Sequence, residues 1–161
     1  MLSNFELNSI AKSLDIKLDG VYMKNELLFK RTVGNYIINL DNTGNEGTHW
    51  TALIVKPKLS YYFDSFGCPP PEQVIQFTKS PNTHLYFNTR IIQDLDSDLC
   101  GFYALAILLY VKNCKNLLKT ANNFSNMFDD SESELNSFLL KGYLNNKGLS
   151  TKIKKYLFKH K

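Results

Sequence analysis

A chain of 161 residues, 43% of them hydrophobic and carrying a net charge of only +4, is long enough to bury one core without disulfide staples. Its three cysteines, Cys68, Cys100 and Cys114, are an odd number with no Cys-x-x-Cys spacing, which argues against a disulfide framework or a zinc knuckle and for a reducing compartment. Met1 to Asn8 is polar, and no apolar run approaches the roughly 18 residues of a membrane span, so a single soluble, cytosolic, monomeric domain over residues 1–161 is expected, without membrane contact.

Ser3-Asn4-Phe5-Glu6 has the capping-box pattern, and Leu7, Ile10, Ala11 and Leu14 follow at helical spacing, which predicts a helix over about 4–14. A second, short helix is expected near Met23 to Phe29. Tyr36 to Leu40 reads as a strand, and the polar loop Asp41 to Gly47 then delivers the chain to His49. His49 to Val55 and Leu59 to Phe63 are rich in aromatic and β-branched residues and flank Lys56-Pro57-Lys58, which predicts a hairpin. In that pairing His49 opens one strand and Asp64 closes its neighbour, so the two side chains are expected side by side.

Phe66 to Pro71 reads as a rigid turn, with Pro71 opening a helix through Glu72, Val74, Ile75 and Phe77. His84 to Ile92 is predicted as a strand. Cys100 then starts an uninterrupted apolar run to Val111, behind the polar stretch Gln93 to Asp98, as a buried helix does. Two more helices are expected, near Ser131 to Leu144 with a Ser131-x-x-Glu134 capping box, and near Ser150 to Phe158. No internal repeat or linker interrupts the chain.

The chemistry concentrates at the start of the Cys100 helix. A free thiol is only a few per cent ionised at neutral pH, so a nucleophilic cysteine needs a cationic neighbour and a favourable dipole. The first turn of a helix supplies the dipole, and His49 can supply the cation by holding the proton. Asp64 would accept from the other ring nitrogen and fix the imidazole. Gln93, seven residues before Cys100, can reach back with its amide to form an oxyanion hole with the Cys100 backbone N–H. Each residue alone has a plainer reading: a buried small hydrophobe, strand packing, a turn. Their joint occurrence favours a cysteine hydrolase. Cys68 sits in a proline turn and Cys114 comes late in its helix, so both compete poorly with Cys100, as His84 does with His49 for want of a nearby carboxylate. The scattered Cys and His offer no metal-ligand spacing, and no cofactor is expected.

Gly47-Thr48-His49-Trp50-Thr51-Ala52, then Tyr61-Tyr62-Phe63-Asp64-Ser65-Phe66-Gly67, then Gln93 and Asp98-Leu99-Cys100-Gly101-Phe102-Tyr103 together resemble the blocks of the adenovirus-type maturation proteases, whose clan includes the SUMO-specific proteases. Glu6 to Leu14 is similar to the first helix of the adenovirus enzymes, and the likeness covers roughly residues 3–110. The resemblance implies an α+β, papain-like fold with permuted catalytic order and a central mixed sheet flanked by helices. It makes His49 the base, Asp64 its orienter, Cys100 the nucleophile and Gln93 an oxyanion donor. The adenovirus enzymes carry Glu where this chain has Asp64, the residue the SUMO proteases use. Trp50 is implied as a wall of a narrow channel favouring glycine in the substrate.

The function so implied is a cysteine endopeptidase that cuts viral capsid and core precursor polypeptides at glycine-containing sites during virion maturation, in the host cytoplasm or nucleus and in the virion. Activation by a viral peptide or by DNA, known among the adenovirus-type enzymes, stays open. Two alternatives remain. One is a deubiquitinase- or deSUMOylase-like enzyme acting on Gly-Gly tails. The other is a non-catalytic structural protein holding nucleic acid through Lys147, Lys152, Lys154, Lys155, Lys159, His160 and Lys161, a cluster that also reads as a solvated helix face or frayed tail.

Overall fold

Ser3 caps the first helix, α1 (Asn4–Ser13), as its sequence pattern predicts. Its hydroxyl accepts from the Glu6 N–H, and the Glu6 carboxylate accepts from the Ser3 N–H at 2.8 Å. The computed structural model describes residues 1–27, 30–130 and 132–159. They form an α+β arrangement of one mixed five-stranded sheet and six α-helices.

The next element departs from expectation. Gly20–Met23 is a strand, β1, followed by a single 3-10 turn over Lys24–Glu26, where a helix over Met23 to Phe29 was expected; Leu28 and Phe29 lie outside the described residues. Glu26 accepts from the Met23 N–H at 2.8 Å, and that reach-back closes one turn only. Ahead of it, β1 is drawn into parallel pairing with β2 (Gly34–Asn39), Val21 opposite Ile37. Sheet pairing satisfies its backbone groups, and local preference yields.

β3 (Trp50–Val55) and β4 (Leu59–Phe63) form the predicted antiparallel hairpin, with Ala52 opposite Phe63 and the Lys56 N–H donating to Leu59 O at 2.8 Å. α2 (Glu72–Thr78), with Pro71 at its N-cap, carries the chain to β5 (His84–Phe87), which lies parallel to β4. The strand order is β1-β2-β3-β4-β5. β5 ends at Phe87 rather than Ile92 because Asn88 turns its carboxamide onto the backbone of Asp64.

α3 (Cys100–Tyr110) is the predicted apolar helix and is buried from Cys100 through Leu108. α4 (Leu117–Ser125) was not expected. Its Thr and Asn residues are poor helix formers, but Asn116 caps it, accepting from the Lys119 N–H at 3.0 Å, and Leu117, Ala121 and Phe124 bury one face. α5 (Ser133–Asn145) and α6 (Thr151–Lys159) complete the chain. Ser131, the first residue of the expected capping box, lies outside the described residues.

The sheet is covered on both faces, and the two-residue period of its strands sorts the side chains. Ile37, Ala52, Ile54, Tyr61 and Phe63 face α1 and α3 in the larger core, while Tyr36, Ile38, Leu53, Val55 and Tyr62 pack with Val74 and Phe77 of α2 on the other side. A helix apolar all round, such as α3, belongs in the middle of such a stack. Among the described residues no helix is long and apolar enough to cross a membrane.

Candidate active site

The end of the β3–β4 hairpin brings His49 and Asp64 together. His49 immediately precedes β3 and Asp64 immediately follows β4, and His49 Nε2 lies 2.7 Å from Asp64 Oδ1 with both side chains buried. The approach loop to His49 is pinned by Asn39, whose Oδ1 accepts from the N–H of Asp41 at 2.9 Å and of Thr48 at 3.2 Å. Asp64 is held as firmly. Asn88 accepts from its N–H at 2.9 Å and donates to its carbonyl at 2.6 Å.

Asp64 Oδ1 also accepts from the Phe66 N–H at 2.8 Å. This turn tightens through the Gly67 N–H, which donates to Asp64 O at 2.9 Å, with Gly67 at φ +68°. A side chain at Gly67 would sit 2.6 Å from the carbonyl oxygen of Thr89, so glycine is required there. The turn lays the Phe66 ring over the imidazole of His49, with centroids 4.5 Å apart and planes inclined by 20°.

With Nε2 committed to Asp64, Nδ1 is the nitrogen left to His49 for the thiol. Cys100, in the first turn of α3, lies near enough to the ring to favour its cation. Burial disfavours the imidazolium, but the hydrogen bond to Asp64 and the proximity of Cys100, with the charges of both, outweigh it and push the His49 pKa up to about 9. The ring is therefore a cation at neutral pH, between a buried carboxylate and a sulfur.

Gln93 is buried beside them. Its Oε1 accepts from the Ser65 hydroxyl at 2.6 Å and its Nε2 donates to Ser97 O at 2.7 Å. A carboxamide nitrogen carries two hydrogens, so one remains for a further acceptor. The first N–H groups of α3, that of Cys100 included, have no carbonyl of a preceding helical turn to bond. His49, Phe66, Gln93 and Cys100 line one cleft of about 370 Å³, rimmed by Met1 and Leu95. Such a site can hold a carbonyl carbon near the sulfur and its oxygen near two donors.

Trp50 stands elsewhere. It is 3% exposed, its indole N–H donates to Leu2 O at 2.8 Å, and it does not line the cleft. Strand alternation sends it, like Ala52 and Ile54, toward α3, where it packs beside Gly101. Phe66 and Met1 supply the walls instead. Ser65, Phe66 and Asn88, each one step removed from the residues singled out in the sequence, are the supporting parts that sequence reasoning missed. Ser65 and Phe66 adjoin Asp64, which is a usable signal; Asn88 carries none. Among the described residues no group of three or more His, Cys, Asp or Glu is placed to hold a metal ion.

Neither a protein-family model nor a curated protein matches this chain. Nine chains of solved structures do. One is the crystal structure of the selenomethionine ASFV pS273R protease, which is 21% identical, with a TM-score of 0.45, over 71% of this chain and 43% of that one. This chain thus spans less than half the length of that protein.

Proposed function

We propose that this chain is a cysteine endopeptidase that cuts viral capsid and core precursors at glycine-containing sites during virion maturation. What supports the reading is one arrangement: the His49 imidazole lies 2.7 Å from the buried Asp64 carboxylate and shares with Cys100 and Gln93 the lining of one cleft. On this reading the α+β fold is of papain type, with the site residues permuted into the order His49, Asp64, Gln93, Cys100.

The Cys100 thiolate attacks the scissile carbonyl, forming a carbon–sulfur bond as the carbonyl oxygen takes the electron pair. The Gln93 amide and the Cys100 N–H donate to that oxygen, worth about 3 kcal/mol per donor. His49 passes its proton to the departing amine as the carbon–nitrogen bond breaks, leaving a thioester on Cys100. Water, deprotonated by His49, attacks the thioester and returns the thiolate. Asp64 holds the ring and its charge throughout. The cycle needs no cofactor; the enzyme works in the infected cell's cytoplasm or nucleus and in the virion.

The test is mass spectrometry of new peptide termini after candidate virion precursors are incubated with the chain or its Cys100→Ala variant. Termini following or preceding glycine, present with the former and absent with the latter, are expected. Equal cleavage by the two would refute the reading. Reaction confined to ubiquitin- or SUMO-based Gly-Gly probes would replace it with a tail-trimming hydrolase.

A further inference from the structure

We propose that the outward face of α5 is a self-association surface through which two copies of this chain pair antiparallel about a two-fold axis. The proposal departs from the monomer expected from the sequence. α5 turns Asn136, Leu140 and Leu144 into the core, while Leu135, Phe138 and Leu139 on its other side are 47, 73 and 39% exposed. With Gly142 they fall at i, i+3, i+4 and i+7, a continuous stripe along a helix. The glycine is as telling as the apolar residues. Glycine is a poor helix former, and Gly101 in α3 has a reason for being there, since a side chain would press on Leu2, Leu7 and Trp50. At Gly142 a side chain would meet nothing within 4 Å. Nothing within the fold explains the flat spot, which instead leaves room for a residue arriving from outside.

The occupant that fits is the same helix from a second copy. If two α5 helices cross antiparallel between Phe138 and Leu139, Leu135 of each copy falls opposite Gly142 of the other. Phe138 and Leu139 fill the centre. Glu134 and Lys141 lie on one flank of the stripe, and in an antiparallel pair like flanks face each other. At about 1.5 Å of rise per residue, Glu134 of one copy comes within about 3 Å, along the axis, of Lys141 of the other. A parallel pair would turn the flank bearing Glu134 and Lys141 toward the opposite flank of the partner, so that neither charge meets its counterpart. Charge and shape therefore choose the same geometry. One helix stripe falls short of the roughly 1,200–2,000 Å² of a standard interface, so the dimer is weak and concentration-dependent.

Sedimentation velocity on the full chain between about 5 and 500 µM, a range suited to a sub-standard interface, tests this. The wild type should pass from monomer to dimer. Phe138→Glu and Gly142→Leu should stay monomeric at every concentration with an unchanged circular dichroism spectrum. Gly142→Leu raises helix propensity at a position with open space, so its folding is secure. Glu134→Lys should weaken association by about tenfold, and Glu134→Lys with Lys141→Glu should recover it. A wild type that stays monomeric, or a Gly142→Leu variant that pairs as well as the wild type, overturns the surface. A charge swap that fails to recover pairing overturns the antiparallel register.

Discussion

The Ser65 hydroxyl donates to Gln93 Oε1 at 2.6 Å while its carbonyl accepts from the backbone N–H groups of Ile92 and Gln93 at 2.9 and 3.1 Å. The residue after the carboxylate that holds His49 thus also helps set the position and the rotation of the Gln93 amide, which lines the cleft with Cys100. The Tyr103 hydroxyl, donating to Ile92 O at 3.1 Å, ties the same segment to α3. His49 and Gln93, the proposed base and oxyanion donor, are therefore referenced to one strand end.

Ser65→Ala removes the partner of Gln93 Oε1 and leaves the amide held through Ser97 O alone. It should lower kcat by about tenfold or more, with KM nearly unchanged, because an oxyanion donor acts mainly in the transition state. In a Gln93→Ala background the same change should cost nothing further. Steady-state kinetics on the four variants check this; full additivity of the two losses would deny the link.

The His49 pKa, raised from its ordinary 6.5 to about 9, makes two statements about pH. The folded state binds this proton more tightly than the unfolded one, so the histidine's contribution to stability is complete below about pH 6.5 and is lost as the pH rises through about 9. Activity that depends on the imidazolium should decline over the same alkaline limb. NMR titration of the His49 ring should find its midpoint lowered in Asp64→Asn and in Cys100→Ala, since each removes a group that favours the cation.

Asp64→Asn should cut kcat by about 10³-fold or more while the fold persists, since a missing orienting carboxylate leaves the imidazole in the wrong tautomer and uncompensated. Cys100→Ala should abolish turnover altogether. An Asp64→Asn enzyme with near-normal kcat would mean that the 2.7 Å contact serves folding alone.

Gly67→Ala should destabilise the chain by roughly 2–4 kcal/mol, combining a strained positive φ with a clash against backbone. The carbonyls of Thr89 and Arg90 would lie 2.6 and 2.8 Å from the new carbon. Denaturant titration measures the loss, and the turn that seats Phe66 over His49 should suffer with it. By contrast Gly44→Ala, where open space surrounds the position, should carry only the backbone strain of its positive φ.

Much of this was legible from local pattern. The capping box at Ser3 and Glu6, the hairpin around Pro57 and the apolar run from Cys100 are short-range signals, because capping, turn chemistry and periodicity act over a few residues. The hairpin already implied that His49 and Asp64 are neighbours, since antiparallel pairing fixes what lies opposite what. Asn88 meeting Asp64, Ser65 meeting Gln93 and Leu2 covering Trp50 join residues 24, 28 and 48 positions apart, and no local rule links them. Strand β1 and helix α4 owe their form to what they pack on, which overrode weak propensities. The sequence alone thus singled out the side chains proposed to bear the chemistry. Tertiary structure decided how they are aimed and which stay buried, because orientation and burial depend on partners that the chain brings together only on folding.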